Sequence, residues 1–278
     1  MSEAERKKVT VRTLARLKRQ GRKITMLTAY DYPTAGILDR TGVDVILVGD
    51  TVGMVVLGME TTLPVTMDEM IHHCAAVARA RPRALLVGDM PFLSFTVSVR
   101  DTVRNAGRMV KEGGVEAVKL EGGRAMIPMV RAIARASIPV MGHLGLTPQS
   151  ILRFGGYKVQ GKRREEAERL VDAARGLEDA GCFAIVLEAI PADVAARVTE
   201  RVSVPTIGIG AGPHCDGQVL VTHDLLGVYE ERPPRFVKRY ADLRGEMTRA
   251  FTEYVREVRE GVFPAAEHCY ESEEEKEG

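Results

Sequence analysis

The chain has 278 residues, of which 45% are hydrophobic and 28% charged, a composition typical of globular proteins with a large core. Its 39 Lys and Arg residues stand against 38 Asp and Glu, so the charge gives no reason to expect a nucleic-acid or anionic membrane partner. No apolar run approaches the ~20 residues that span a bilayer, and the first residues lack the apolar core of a secretion signal, so we expect a cytoplasmic protein.

Short apolar runs and amphipathic stretches alternate along most of the chain. The apolar runs are rich in β-branched residues and lack polar alternation, which is typical of strands buried on both faces of a parallel sheet. We predict eight strands, over 24–30, 43–49, 84–88, 117–120, 139–142, 183–187, 205–209 and 218–222. Eight strands that alternate with helices indicate an α/β fold, the (βα)8 TIM barrel.

The helices follow from amphipathic periodicity and from capping residues. Thr66 and Glu69 have the spacing of a capping box, and Pro33 stands at a first-turn position. We predict helices over 11–21, from Pro33, and over 66–80, 98–113, 124–136, 163–181, 191–202 and 239–260, with loops over 52–63 and 144–161. The barrel thus has an extra N-terminal helix and a C-terminal helix. We expect one domain over 1–278, ending in a flexible acidic tail over 271–278.

Five of the predicted strands end in an ionisable side chain. These side chains belong to Asp50, Asp89, Glu121, His143 and Glu188. In a closed parallel barrel the carboxyl ends of the strands meet at one rim, where α/β barrels hold their active sites. The sequence therefore predicts a metal-assisted active site at that rim.

Asp50 and Asp89 follow neighbouring strands, so we expect their carboxylates to lie close together. Two carboxylates repel each other unless a positive charge lies between them, and Mg²⁺ prefers oxygen ligands while leaving positions for substrate. Glu121 ends the next strand and is expected to complete this metal site or to orient a water of the site. The alternative is that each aspartate caps the helix or turn beyond its strand.

Three other charged or titratable residues accompany these carboxylates. Lys119 stands two residues before Glu121, so its ammonium is expected on the same side of the strand, facing either a substrate oxyanion or a structural aspartate. His143 is flanked by glycine, which allows a ligand to approach, and is either a hydrogen-bond donor to substrate or a core histidine. Glu188 ends a very apolar strand and is either a general base or a helix cap before Pro191.

The strand ends and their flanking sequences resemble those of the ketopantoate hydroxymethyltransferase (3-methyl-2-oxobutanoate hydroxymethyltransferase) family. The resemblance covers about residues 24–227. It rests on Thr28-Ala29-Tyr30-Asp31, Val48-Gly49-Asp50, Leu63-Pro64-Val65-Thr66, Gly88-Asp89-Met90-Pro91-Phe92, Val118-Lys119-Leu120-Glu121-Gly122-Gly123, Gly142-His143-Leu144-Gly145-Leu146-Thr147-Pro148-Gln149, Leu187-Glu188, Ile207-Gly208-Ile209-Gly210-Ala211-Gly212 and Cys215-Asp216-Gly217-Gln218. Each segment alone is a weak signal, but the series in this order is specific.

The resemblance implies a role for each of these polar residues. The implied metal ligands are Asp50, Asp89 and Glu121. The implied substrate-binding residues are Asp50, Thr51, Asp89, Lys119 and His143. Glu188 is implied as the catalytic proton acceptor. The family usually has Ser where this chain has Thr51, so we expect the hydroxyl contact with the substrate carboxylate to be kept with altered packing.

The resemblance also implies the reaction. A hydroxymethyl group would pass from 5,10-methylenetetrahydrofolate to 3-methyl-2-oxobutanoate through an enolate stabilised by Mg²⁺, giving 2-dehydropantoate for pantothenate and coenzyme A synthesis. The implied partners are these small molecules and further copies of the chain, usually in a decamer. Two alternatives stay open, a Mg²⁺-dependent lyase or decarboxylase for another 2-oxo acid, and a catalytically silent barrel that binds a keto acid.

Overall fold

The strands of the chain form a closed parallel barrel whose order follows the sequence. The computed structural model describes residues 7–229 and 234–271. Within them, each strand pairs with the next along the chain, and the last strand pairs with the first. The strands are β1 Ile24–Thr28, β2 Val45–Val48, β3 Leu85–Asp89, β4 Ala117–Glu121, β5 Val140–Gly145, β6 Cys182–Glu188, β7 Thr206–Ile209 and β8 Gly217–Leu220. The predicted TIM barrel is confirmed.

Helices follow the strands along the chain, and α4 begins where its capping residues predict. The helices are α1 Val11–Arg19, α2 Tyr32–Thr41, α3 Val52–Val55, α4 Met67–Ala78, α5 Val99–Lys111, α6 Ile127–Arg135, α7 Ile151–Phe154, α8 Arg164–Ala180, α9 Ala192–Arg201, α10 Thr222–Leu226 and α11 Leu243–Glu260. At the start of α4, the Thr66 hydroxyl accepts from the Glu69 amide and the Glu69 carboxylate accepts from the Thr66 amide. The predicted capping box is therefore confirmed.

The structure differs from the predictions in loops and at element ends. The predicted loop over 52–63 begins with α3, and the predicted loop over 144–161 contains α7, because a four-residue helix is too short to show a period in sequence. Strand β5 continues beyond residue 142 to Gly145, since its last residues pair with the end of β6. The last strand ends at Leu220, and the final helix begins at Leu243, where the Asp242 side chain caps it.

The inside of the barrel is an apolar core that α1 extends. The strands contribute Ile24, Met26, Val45, Leu47, Leu85, Val87, Ala117, Met141, Ala184, Val186, Ile207 and Val219. Leu14 and Leu17 of α1 belong to the same cluster. The Lys18 ammonium donates to the Val204 carbonyl at 3.0 Å, just ahead of β7, which places α1 at the N-terminal end of the strands. The ionisable strand ends lie at the opposite end.

The described residues fall into two compact units. The first holds the barrel and runs to Thr222, together with Arg235–Val237, and the second holds the other C-terminal residues, including α11. The single domain expected over 1–278 stays a prediction, and residues 272–278 of the expected tail lie outside the described residues. In the part of the chain that is described, every helix is too short or too polar to cross a membrane.

Candidate active site

Six ionisable residues lie at the carboxyl ends of β2 to β6, and we call this group the barrel mouth. Its members are Asp50, Asp89, Lys119, Glu121, His143 and Glu188. Five of them are at most 6% exposed, and Glu188 is partly buried. The strand register sets Asp89 beside Lys119 and Glu121 beside His143. Every residue that the sequence singled out at a strand end thus belongs to one cluster.

Lys119 is the buried cation of the barrel mouth. Its Nζ lies 2.6 Å from Asp89 Oδ1 and 3.4 Å from His143 Nδ1. Burial lowers the pKa of this ammonium, but the carboxylates of Asp89, Glu121 and Asp50 outweigh burial and raise the pKa above its usual range. Lys119 is therefore charged, and the Lys–Asp pair foreseen as an alternative exists.

His143 lies between two carboxylates. Its Nδ1 is 3.3 Å from Glu121 Oε1, and its Nε2 is 3.1 Å from Glu188 Oε2. The Nε2 contact lacks the alignment of a hydrogen bond, so it is a charge contact and leaves this nitrogen without a hydrogen-bond acceptor. Burial and Lys119 lower the pKa of His143, yet the two carboxylates raise it to about 9. An imidazolium with one donor unfilled can bind an anionic ligand.

Gln149 ties the carboxylates together, and sequence reasoning gave it no role. Its side-chain amide donates to Asp50 Oδ2 at 2.8 Å and to the Met90 carbonyl at 3.0 Å. Its backbone amide donates to Glu121 Oε2 at 3.0 Å. This one residue, which lies in a 3-10 turn over Pro148–Ser150, therefore holds two acidic groups that come from the ends of strands β2 and β4. The sequence gave one signal for a role of Gln149, because this residue ends the segment from Gly142 that resembles the family.

Thr51 is held by a buried tyrosine. Its Oγ1 lies 2.7 Å from the Tyr30 hydroxyl. Burial raises the pKa of Tyr30, so that hydroxyl stays protonated. A side chain at Gly49 would meet Thr51 Oγ1 at 2.9 Å, so glycine before Asp50 leaves room for the threonine hydroxyl. The hydroxyl is thus fixed beside the first carboxylate of the barrel mouth.

The backbone at the ends of β5 and β6 is shaped for close approach. Gly145 has a φ of +99°, and a Cβ there would collide with the Glu188 carbonyl oxygen. Ala189, directly after Glu188, also has a positive φ of +47°, which is unfavourable for a residue other than glycine. Glu188 therefore stands at a constrained turn, and backbone strain is common at functional sites.

The capping roles offered as alternatives are not filled by these acidic residues. The N-cap positions of α3, α5 and α9 belong to Thr51, Ser98 and Pro191. Asp89 Oδ2 does accept from the Asp50 amide at 3.2 Å, which is a contact between the carboxyl ends of β2 and β3. The carboxylates of Asp50 and Glu188 instead face other side chains of the cluster.

The barrel mouth has more acidic than basic groups. Four carboxylates surround one ammonium and one imidazole, so negative charge is in excess when all are ionised. Burial, together with repulsion from Asp89 and Glu121, raises the pKa of Asp50 well above its usual value. Burial also raises the pKa of Asp89 despite its contact with Lys119. A cation bound beside Asp50 and Asp89 would lower both pKa values, because it favours the charged carboxylates. Carboxylate oxygens are the ligands that a hard divalent cation prefers.

The possible ligands set a limit on how a metal is held. Within residues 7–229 and 234–271, no three His, Cys, Asp or Glu side chains are grouped as a ready metal site. A cation beside Asp50 and Asp89 would therefore take further ligands from substrate and water, as Mg²⁺ commonly does. The role of Glu121 as a third ligand stays a prediction.

Comparisons of the sequence identify relatives along nearly the whole chain. A family model described as ketopantoate hydroxymethyltransferase matches residues 8–266. A 3-methyl-2-oxobutanoate hydroxymethyltransferase from Trichlorobacter lovleyi is 58% identical over 265 residues, covering 95% of this chain and 99% of the relative. The enzyme of the same name from Moorella thermoacetica is 58% identical over 267 residues, covering 96% and 99%.

Solved structures share the fold at low sequence identity. A phosphonopyruvate hydrolase in complex with oxalate and Mg²⁺ superposes with a TM-score of 0.61 at 12% identity, covering 95% of this chain and 92% of that one. A 2,3-dimethylmalate lyase of the PEP mutase/isocitrate lyase superfamily gives 0.59 at 15% identity, covering 92% and 89%. These likenesses support the barrel architecture alone.

Proposed function

The chain belongs to the ketopantoate hydroxymethyltransferase family, and from that membership we propose that it transfers a hydroxymethyl group from 5,10-methylenetetrahydrofolate to 3-methyl-2-oxobutanoate, with Mg²⁺ as cofactor. The product is 2-dehydropantoate. The observation that carries the proposal is the barrel mouth itself, in which acidic groups from β2, β3, β4 and β6 surround Lys119 and His143. Forming an enolate from a keto acid uses metal ligands, cationic groups and a base, and the barrel mouth contains residues of all three kinds.

Asp50 and Asp89 would hold the metal ion, with Glu121 beside them. The fit rests on their oxygen donors and on the excess negative charge that raises the pKa of both aspartates. When bound, Mg²⁺ supplies a Lewis acid for the keto group of the substrate. Gln149 orients the Asp50 carboxylate through its 2.8 Å hydrogen bond, so this carboxylate would already be oriented when the metal ion binds.

The basic groups of the barrel mouth would bind the anionic substrate. Lys119 stabilises negative charge that develops on the substrate oxygens, because it is buried and charged. His143 offers the Nε2 donor that the protein leaves unfilled. The Thr51 hydroxyl, set by Tyr30, remains available to the substrate carboxylate. These contacts fix which carbon of the keto acid faces Glu188.

Glu188 would be the base. Its carboxylate accepts the proton from C3 of the keto acid, and the C–H electron pair moves toward the keto oxygen to give the enolate. His143 Nε2, 3.1 Å away, holds the carboxylate in place by charge. The enolate carbon then forms a bond to the methylene carbon of the donor as one C–N bond of that methylene bridge breaks. Water supplies the hydroxyl group to the same carbon as the second C–N bond breaks, and tetrahydrofolate leaves with protons on the two freed nitrogens.

The direct test is to supply both substrates and to measure 2-dehydropantoate. We expect product with Mg²⁺ present, and only background after the protein is stripped with a chelator, with recovery when Mg²⁺ is restored. Oxaloacetate and 2-methylisocitrate serve as matched substrates for the lyase alternative. Pyruvate release from either, without hydroxymethyl transfer, would reject the proposal, as would full activity in the stripped protein.

We further propose that the chain forms a homo-oligomer, as the family resemblance implies. No residue of α11 is buried, and one face of this helix carries exposed apolar side chains, which other protein surfaces commonly cover. They are Leu243, Met247, Phe251, Tyr254, Val255 and Val258. The decamer, the cytoplasmic location and the lack of nucleic-acid and membrane partners stay predictions.

A substitution on α11 tests the oligomer. Phe251→Glu puts a charge in the middle of the apolar face and is expected to lower the assembly mass measured by light scattering. Arg249→Glu adds the same side chain about half a turn away on the polar face, where it should leave the mass unchanged. A monomeric wild-type chain, or equal masses for the wild type and Phe251→Glu, would contradict the interpretation.

A further inference from the structure

The barrel mouth is lined by charged and largely buried side chains, which are poor surroundings for a large aromatic co-substrate. Asp50, Asp89 and His143 are 2%, 3% and 2% exposed, so little of the surface of these three residues is open to a large ligand. The proposed one-carbon donor carries its reactive carbon beside a flat bicyclic ring. That ring must lie at the rim, where a flat ring binds best by packing on an aromatic side chain.

Tyr157 lies on the long loop between β5 and α8 and reaches across the barrel mouth. Its hydroxyl is 3.5 Å from Sδ of Met54, which lies in α3 after the end of β2. Strands β3 and β4 stand between β2 and β5 in the barrel, so this contact spans the ends of both. Gln149 of the same loop makes a parallel connection to Asp50. The loop therefore covers one side of the opening.

Charge and exposure place the Tyr157 ring at the rim. Tyr157 is 53% exposed, so part of its side chain is open to a ligand. Burial of the rest raises the pKa of the hydroxyl, and the negative charges of Glu188, Asp50 and Glu121 raise it further. The ring is thus close enough to sense three carboxylates of the barrel mouth while it lies outside the cluster.

The backbone around Tyr157 fixes its position relative to Glu188. Gly155 and Gly156, directly before it, have φ values of +64° and +117°, a turn that other residues adopt with difficulty. After it, the Gln160 amide donates to the Ala189 carbonyl at 3.0 Å, one residue beyond Glu188. The loop is therefore tied to the strand end that carries the proposed base.

We propose that Tyr157 is a positioning residue for the one-carbon donor. Its ring packs against the flat ring of the reduced folate and holds the reactive carbon above the site where Glu188 has removed the substrate proton. This inference rests on the proposed function. The aromatic ring performs the role, and the hydroxyl serves only to anchor the ring on Met54.

Steady-state kinetics of Tyr157 variants test the assignment with the full-length protein and Mg²⁺. For Tyr157→Ala we expect KM for 5,10-methylenetetrahydrofolate to rise roughly ten- to a hundredfold, while KM for 3-methyl-2-oxobutanoate changes by less than about threefold. Tyr157→Phe keeps the ring and is expected to keep both constants within about threefold. Binding of tetrahydrofolate, measured by calorimetry in the presence of the keto acid, should weaken in parallel in Tyr157→Ala.

Tyr32→Ala is the matched control, because Tyr32 is also a tyrosine that follows a strand end, as the first residue of α2, and it is 58% exposed. It is expected to leave both KM values unchanged. An unchanged donor KM in Tyr157→Ala, an equal rise in Tyr32→Ala, or an equal rise in KM for both substrates would overturn the assignment. A wild-type protein that exchanges the C3 proton but accepts no one-carbon unit from this donor would instead reject the proposed function.

Discussion

Glu188→Gln is expected to abolish most of the deuterium exchange at C3 of 3-methyl-2-oxobutanoate, measured by NMR without a folate donor. Loss of one positioned base lowers the rate by roughly 10²–10⁴-fold. Gln has the same shape as Glu but cannot accept the proton as a carboxylate does. His143 and Lys119 stay in place in this variant, so the keto acid should still bind. Exchange isolates the proton transfer from the later bond formation.

The control for this experiment is Glu200→Gln, which makes the same chemical change at an exposed position on α9. It should exchange deuterium at the wild-type rate. Calorimetry with the keto acid and Mg²⁺ separates a lost base from a lost binding site. Undiminished exchange in Glu188→Gln would refute the base assignment. Loss of keto-acid binding in this variant would show instead that Glu188 is needed to bind the keto acid.

Much of the barrel could be predicted because its strands are buried on both faces. Val45–Val48 and Leu85–Asp89 are buried at every position, so they appear in sequence as apolar runs, the second of which ends at Asp89. Element ends were harder to predict. The extension of β5 through Leu144 and Gly145 depends on pairing with β6. The pairing register depends on both strands, so the sequence of one strand alone does not predict it.

The acidic residues of the site were found because each follows an apolar run, whereas the loop residues were not. Gln149 and Tyr157 lie in a segment without periodicity, and their contacts with Asp50 and Met54 depend on how the loop folds. The sequence also left the partner of Lys119 open. Its 2.6 Å contact with Asp89 follows from the register of β3 and β4, which only the folded barrel fixes.

Lys119→Met is expected to lower the free energy of unfolding by about 3–5 kcal/mol in the metal-free protein, measured by urea denaturation. The Lys119–Asp89 pair is buried, with side chains 5% and 4% exposed. Removing the ammonium leaves Asp89 beside Asp50 and Glu121 without its nearest positive charge. Burial already raises the pKa of Asp89, so the variant would hold this carboxylate in its protonated form or unfold more readily.

Arg197→Met is the control for that loss, because the Arg197–Glu168 pair has the same 2.6 Å separation but side chains that are 43% and 53% exposed. Exposed pairs contribute about 0–1 kcal/mol, so this variant should unfold close to the wild type. Mg²⁺ is expected to restore part of the stability of Lys119→Met, since a cation between Asp50 and Asp89 replaces the missing positive charge. Equal stability losses in the two variants would show that burial does not decide the strength of the Lys119 pair. A Lys119→Met protein that Mg²⁺ fails to stabilise would argue against a metal ion beside Asp89.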